Sequence, residues 1–340
     1  MRAAILGCGA LGTILGAKAS LAGHDCTMID ANKEHVDALN KYGATITGQL
    51  DHKNIPVKAI TPDQMEGKYD LVFLLTKQTA NKVAVPNLLN YLHEKSIVCT
   101  LQNGVPEESV DEMVGGNRTM GGCIMWGGEQ WEPGKVVCTT AGELMTIDIG
   151  SISGEITEDV RKVEEWLQCQ GKVTVSENLM GVRWMKLWVN AGMSGMSAAL
   201  NCTYGDICQN DEAVRCAAHI ADEVVRVSRA KGIKMEGVIK GYNADDLTFD
   251  TKEGLEHTIA CIRKVHMLQP AQTASMLQDM KKGRPCEIDF IDGEVTKNGA
   301  KYGVPTPYAD TVVRIVKEFE AGKRPMPTMD NLKEFPQETL

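Results

Sequence analysis

Short apolar runs, each closed by a glycine or a polar residue, recur through the first half of the chain. Ala3-Ala4-Ile5-Leu6 enters a glycine-rich turn, and Met28-Ile29 ends at Asp30. Tyr69 to Leu75 is nearly continuous in its hydrophobicity, as expected of a parallel strand covered on both faces. Ser96 to Leu101 repeats that character, while 44–46 and 57–60 alternate like short strands. Helical patterns fall between these runs: after Gly12, over Asn32 to Tyr42, over about 79–92 and over 157–169. The pieces Lys135-Val136-Val137-Cys138 and Leu144 to Ile149 predict the antiparallel tail of the same sheet, and Lys172 to Val175 predicts one more strand. The first domain is therefore expected to span 1–177.

Beyond that point the pattern is helical. Val182 to Leu200 lacks proline and is rich in Met, Trp, Leu and Ala, which predicts a largely buried helix. Further helices are expected at about 211–231, 234–243, 251–265 and 305–321. They give a helical second domain at 178–322, followed by an irregular tail at 323–340 that holds three prolines. The fold class is α/β: an N-terminal Rossmann dinucleotide-binding domain joined to an all-helical domain.

The first thirty residues carry the clearest chemistry. A strand, the turn Gly7-Cys8-Gly9-Ala10-Leu11-Gly12, a helix and a second strand ending in an acid follow one another in the order a dinucleotide site needs. Gly7 suits the tight turn, Gly9 lets backbone amides approach a pyrophosphate, and Gly12 lets the helix pack close. The phosphates then meet the positive end of the helix. Asp30, 23 residues after Gly7, is placed to accept hydrogen bonds from both ribose hydroxyls and to repel a 2′-phosphate, which favours NAD(H). A GxGxxG pattern alone is weak, and Met1-Arg2 before small and apolar residues also resembles a signal peptide. Three glycines within six residues, Lys18 and the strand leading to Asp30 argue against that alternative.

Two further residues sit where strands of a parallel sheet deliver ligand contacts, at their carboxyl ends. Lys77 follows the Tyr69 run and Asn103 follows the Ser96 run; a solvated lysine and a plain Asn-Gly turn are the plainer readings. In the second half, Lys186, Asn190 and Ser194 recur at a spacing of four, which on an α-helix makes one slowly drifting polar stripe. A lysine in so apolar a helix is costly without a partner or a task.

Composition narrows the class. The chain has 340 residues, 43% of them hydrophobic and 24% charged, enough for two domains with real cores. A net charge of -9 argues against a broad nucleic-acid or anionic-membrane surface, while leaving room for a local basic pocket. The eleven cysteines form no CxxC pair and several lie in apolar patterns, so they read as reduced, mostly buried residues of a cytoplasmic protein. There is no HExxH or Cys/His knuckle, and lone histidines such as His219, His257 and His266 read as structural or exposed, so no metal site is expected. Nucleic acid and membrane are not expected as partners; a small acidic substrate is, and a homodimer is compatible with the chain.

Over nearly its whole length the sequence resembles the ketopantoate reductase (2-dehydropantoate 2-reductase) family. The carrying motifs are the glycine turn, Lys77, Leu101-Gln102-Asn103-Gly104, Trp184 to Asn190, Ser275-Met276-Leu277-Gln278-Asp279, Glu287-Ile288-Asp289-Phe290 and Tyr302 to Pro307. The resemblance implies a helical domain like that of 6-phosphogluconate dehydrogenase and reduction of a 2-keto acid by NAD(P)H. It implies Lys186 as general acid and Glu287 as its assistant, with Asn103, Asn190 and Ser275 holding substrate. Ser194 and Gln272 stand where the family more often carries asparagine, and the arginine common after the second strand in NADP-dependent members is absent, though Lys33 is near. NADP(H) therefore stays open by resemblance beside the NAD(H) that Asp30 favours. Two other readings remain: a dehydrogenase of another hydroxy acid or hydroxy compound on this scaffold, and a non-catalytic dinucleotide sensor, which would need neither Lys186 nor Glu287.

Overall fold

The structure, a computed structural model, describes residues 1–237 and 241–337. It divides into two compact units, Met1–Leu179 and Met180–Leu340. Strands of the first unit are, in chain order, β1 (Ala3–Leu6), β2 (Cys26–Ile29), β3 (Ala44–Gly48), β4 (His52–Ile55), β5 (Lys58–Ile60), β6 (Tyr69–Leu74), β7 (Leu92–Thr100), β8 (Thr119–Ile124), β9 (Gly128–Glu132), β10 (Lys135–Cys138), β11 (Thr146–Ser151) and β12 (Lys172–Val175). Its helices are α1 (Ala10–Leu21), α2 (Lys33–Tyr42), α3 (Asn81–Leu88), α4 (Glu107–Val114) and α5 (Glu158–Leu167).

Eight strands form the main sheet in the order β12-β11-β8-β7-β6-β1-β2-β5. From β8 to β5 every neighbour is parallel; β11 runs antiparallel to β8 and pairs in parallel with β12. Alternate side chains of the central strands feed two cores. Ile5, Leu71, Phe73 and Cys99 pack with Ile14 and Leu15 of α1 and Trp166 of α5 on one face. Ala4, Leu6, Val72, Leu74 and Val98 pack with Val85 and Leu88 of α3 and Val110 of α4 on the other. Burying such a side chain contributes roughly 1.5–3 kcal/mol, so a strand hydrophobic on both faces needs helices on both. That need explains α4, which the apolar pattern did not reveal.

The sequence expectation for 121–149 requires correction. β8 and β11 belong to the main sheet, but β9 and β10 join β3 and β4 in a separate four-stranded sheet ordered β4-β3-β10-β9, in which β10 runs parallel to β3. Pairing partners so distant in sequence leave no local signal.

The second unit is helical: α6 (Leu179–Trp188), which begins at the boundary, then α7 (Met196–Leu200), α8 (Tyr204–Gln209), α9 (Asp211–Ala230), α10 (Lys252–His266), α11 (Ser275–Lys281), α12 (Asp292–Tyr302) and α13 (Pro307–Glu320). α9 starts cleanly because the Asn210 carboxamide accepts the amides of Glu212 and Ala213. The helix expected over 182–200 is interrupted: Val189–Gly195 forms a wider π turn between α6 and α7. No helix forms at 234–237 or 241–243, and the rest of the helix expected there, 238–240, lies outside the described residues. The tail expected to be irregular carries a 3₁₀ helix, Met329–Glu334, with Leu332 and Phe335 buried. Arg324 reaches Glu318 and Glu334, and Arg314 also reaches Glu334, which fastens the segment to α13. No disulfide joins the described cysteines; all are buried except the half-buried Cys26, Cys169 and Cys261. Among the described residues no helix is long and apolar enough to cross a membrane.

Candidate active site

The parallel strands β1, β2, β6 and β7 end on one edge of the sheet and deliver Gly7, Asp30, Thr76-Lys77 and Gln102-Asn103 there. Gly7 has φ +99°, and a β-carbon on it would collide with the backbone of Leu75 and Thr76. The turn thus closes tightly over the end of β6. Gly9 precedes α1, and no side chain caps that helix. A β-carbon on Gly9 would meet only the Gln130 carboxamide, 4.0 Å away, so the space in front of the helix is open. Gly12 packs so close to the Gly7 carbonyl that a side chain there is excluded. Ala10 and Leu11 open α1 and are half-exposed. An uncapped helix start with an open approach fits a pyrophosphate.

Cys8 contributes backbone rather than side chain. Its thiol is fully buried against the carbonyls of Ile5 and Ile29, and burial raises its pKa well above the usual thiol value. Its amide donates to Asp30 Oδ2 at 2.7 Å, while Asp30 Oδ1 accepts the Asn32 amide at 2.8 Å. Asp30 is therefore fixed between the glycine turn and the start of α2. Lys33 does not face this acid; it pairs with Asp37 at 2.7 Å, one helical turn on.

Behind the turn lies a network that the sequence reading missed. Gly134 donates its amide to His35 Nδ1 at 2.9 Å, and Thr13 donates its hydroxyl to the Cys8 carbonyl at 2.7 Å. His35 Nε2, 3.1 Å from the Thr13 oxygen, then carries the proton and donates it. Burial lowers the His35 pKa despite the Asp30 charge nearby, which keeps this neutral tautomer. At the other strand ends, the buried Gln102 carboxamide donates to the Thr76 carbonyl at 2.7 Å and to Asn81 Oδ1 at 2.7 Å, and accepts from Thr100 and Asn81. Gln78 donates to the Asn103 carbonyl at 2.6 Å. The loops carrying Lys77 and Asn103, both half-exposed, are thereby locked to each other.

In the second unit Lys186 lies in the last turn of α6, half-exposed among Trp184, Met185, Leu187 and Trp188, which are fully buried. Asn190 follows on the π turn, half-exposed, with its Nδ2 buried and lacking a hydrogen-bond partner among the described residues. Ser194 departs from the expected stripe. It is buried and its hydroxyl bonds the Tyr204 phenol at 2.7 Å. A π turn holds more residues than an α turn, so a spacing of four no longer returns to the same face there. Burial pushes the Tyr204 phenol up to about 12. Gln272 is exposed, and its backbone carbonyl accepts the Tyr204 amide. Ser275 is the first residue of α11 and half-buried; Glu287 is buried just before the 3₁₀ turn Ile288–Phe290.

Two more buried acids surround this helix. Asp292 is fully buried, and both its oxygens lack hydrogen-bond partners from other described residues. They occupy the space in which a Gly195 β-carbon would sit. Glu223 caps α13 by accepting the Tyr308 and Ala309 amides. Desolvation pushes Glu223 up to about 8 and raises Asp292 well above the carboxylate range.

The sequence pattern of ketopantoate reductase PanE/ApbA matches residues 3–153, and that of the ketopantoate reductase C-terminal domain matches residues 178–320. A Pyrococcus horikoshii protein named 2-dehydropantoate 2-reductase is 30% identical over 324 residues, which cover 94% of this chain and 98% of that one. The chain belongs to the ketopantoate reductase family. An Archaeoglobus fulgidus member with the same name is 27% identical over 322 residues, with the same coverage of both chains. The fold of this family member also matches that of D-mandelate dehydrogenase solved with NADH and anilino(oxo)acetate, with a TM-score of 0.80 at 23% identity over 95% of this chain and 99% of that one.

Proposed function

We propose that the protein reduces a 2-keto acid to the 2-hydroxy acid with NADH, and that ketopantoate is the first substrate to test. The observation that carries the reading is the buried Asn190 Nδ2 without an acceptor, four residues after Lys186 on a helix whose other side chains are mostly buried. An unmet buried donor costs roughly 1–3 kcal/mol. A substrate bringing a carboxylate or hydroxyl oxygen to that amide recovers it. Family membership supports the reaction class.

In this reading a bound reduced nicotinamide supplies the hydride. Lys186 presents its ammonium to the carbonyl oxygen, stabilises the developing alkoxide and donates the proton that quenches it. Glu287 polarises substrate hydroxyl groups, and Asn103, Asn190 and Ser275 hold the carboxylate and hydroxyls in place. Ser194 and Gln272, expected from sequence to bind substrate, fit less well: the Ser194 hydroxyl is engaged with Tyr204, and Gln272 offers its backbone to the Tyr204 amide. Gly7 to Gly12 and Lys77 bind the dinucleotide phosphates and ribose. For the cofactor, Asp30 supports NADH. Its carboxylate is fixed at the end of β2, and Lys33, the nearest cation in sequence, already pairs with Asp37.

The test is the oxidation of NADH and of NADPH with a panel of 2-keto acids that includes ketopantoate. Turnover with one of them, faster with NADH, is expected. Saturable cofactor binding with no turnover on any keto acid would instead favour the sensor, and oxidation of a hydroxy compound alone would favour the other dehydrogenase.

A further inference from the structure

Asp246, His257 and Cys261 form a cluster on elements that carry none of the residues assigned to the reduction. His257 and Cys261 are one turn apart on α10, so their side chains share a face. Asp246 comes from the 3₁₀ turn Asp245–Leu247 that precedes the helix. Asp246 Oδ1 lies 2.8 Å from His257 Nε2, and Cys261 Sγ lies 3.6 Å from the same nitrogen. One ligand atom from each residue falls within 4.8 Å of the others.

The shared nitrogen decides between two chemistries. A cysteine nucleophile with a histidine base needs the acid on the other ring nitrogen, so that Nε2 remains available to the thiol. Here acid and sulfur converge on Nε2 itself, so no relay can run through the ring. With the imidazole and thiol protons displaced, the carboxylate oxygen, the ring nitrogen and the sulfur present three lone pairs to one point, the donor set of a cation. The Sγ···Nε2 distance is close to the roughly 3.5 Å that tetrahedral Zn–S and Zn–N bonds imply, whereas Asp246 Oδ1, 2.8 Å from Nε2, has to move back by about half an ångström to bind beside it.

The acid is set in place beforehand. The Asn243 amide donates to Asp246 Oδ2 at 2.9 Å, leaving Oδ1 toward the cluster, and the Thr258 hydroxyl donates to the Asp246 carbonyl at 2.9 Å. Leu247, fully buried, anchors the turn beneath. The charged groups acting on the cluster are mixed. The His257 hydrogen bond holds Asp246 below the usual carboxylate range. Burial and Asp246 raise the Cys261 thiol while Lys264 lowers it. A divalent cation would oppose the burial and the Asp246 charge that raise the thiol, and so favour the thiolate.

We propose that Asp246, His257 and Cys261 form a surface site for a divalent transition metal of the zinc class, bound by one oxygen, one nitrogen and one sulfur, with the remaining position open to water. This departs from the sequence expectation of no metal site. The His-x₃-Cys spacing is visible in the sequence, but the third ligand is brought by a turn eleven residues before the histidine. The site would fasten the 245–247 turn to α10.

Co²⁺ titration of the full chain tests the proposal. The expected result is one equivalent bound in the wild type, with a thiolate-to-cobalt charge-transfer band that Zn²⁺ displaces. Cys261→Ser should abolish the band, and both Cys261→Ser and His257→Ala should weaken Zn²⁺ binding by about tenfold or more. Keto-acid reduction by the two metal-free variants should be unchanged, which shows that they remain folded. The wild type should melt at a higher temperature with Zn²⁺, and the variants should not. The proposal is overturned by an unchanged cobalt band in Cys261→Ser, by equal Zn²⁺ affinity in all three proteins, or by no stoichiometric binding below about 100 μM, where a three-ligand site should be filled.

Discussion

Asp30 does two things with one carboxylate. It ties the Cys8 amide to the start of α2, and it stands where an adenosine ribose is expected. Replacing it separates cofactor choice from turn geometry. Asp30→Ala should narrow the preference for NADH, read as the ratio of kcat/KM for the two cofactors; an unchanged ratio would remove the carboxylate from ribose recognition. The place of Asp30 after β2 was legible because an acid follows a short apolar run there. The commitment of Ser194 to Tyr204 was not, because its spacing of four is read on an α-helix and the π turn changes the register. His35 was equally hidden: the amide that fixes its tautomer belongs to Gly134, in the β9–β10 turn 99 residues away.

Among the elements, the ends of β6 and β7 depend on one buried carboxamide. Gln102→Ala would strand Asn81 and the Thr76 carbonyl without their partner, at a cost of about 2–3 kcal/mol. The lower denaturant midpoint should come with weaker cofactor binding, since Lys77 and Asn103 ride on these loops. A variant as stable as the wild type would show that solvent replaces the network. Strands buried on both faces were readable from continuous hydrophobicity, which is why β1, β6 and β7 are evident in the chain. The short helices α4, α8, α11 and α12 were not, because packing holds them rather than long amphipathic repeats. The second sheet escaped for a related reason: β10 reads as an apolar strand, yet nothing local tells whether it extends the main sheet or pairs with β3.

At the scale of the whole molecule, buried ionisable groups in the helical unit set opposing slopes of stability with pH. Glu223, raised from 4.5 to about 8, keeps its proton in the folded state while the unfolded chain releases it. Its contribution is full below about 4.5 and is lost as pH rises toward 8. Asp292, also raised, acts in the same direction. His266, lowered from 6.5 to about 4 by burial, acts oppositely: its contribution is full above 6.5 and is lost as pH falls toward 4. Between pH 6.5 and 8 the His266 contribution is already full, so Glu223 and Asp292 should make the stability of this unit fall as pH rises. Asp292→Asn, which needs no ionisation, should be more stable than the wild type at pH 8, with the gap closing toward pH 4. Parallel urea midpoints across that range would contradict the assignment of Asp292 as a buried acid that stays protonated in the folded state.

In the proposed reduction Lys186 protonates the oxygen that hydride transfer leaves on the keto acid. The most direct measurement compares wild type and Lys186→Ala for NADH affinity and for steady-state reduction of the best keto acid. An unchanged dissociation constant for NADH with kcat lowered at least about 10²-fold is the result expected of a lost general acid. Turnover near the wild-type value would remove Lys186 from the chemistry.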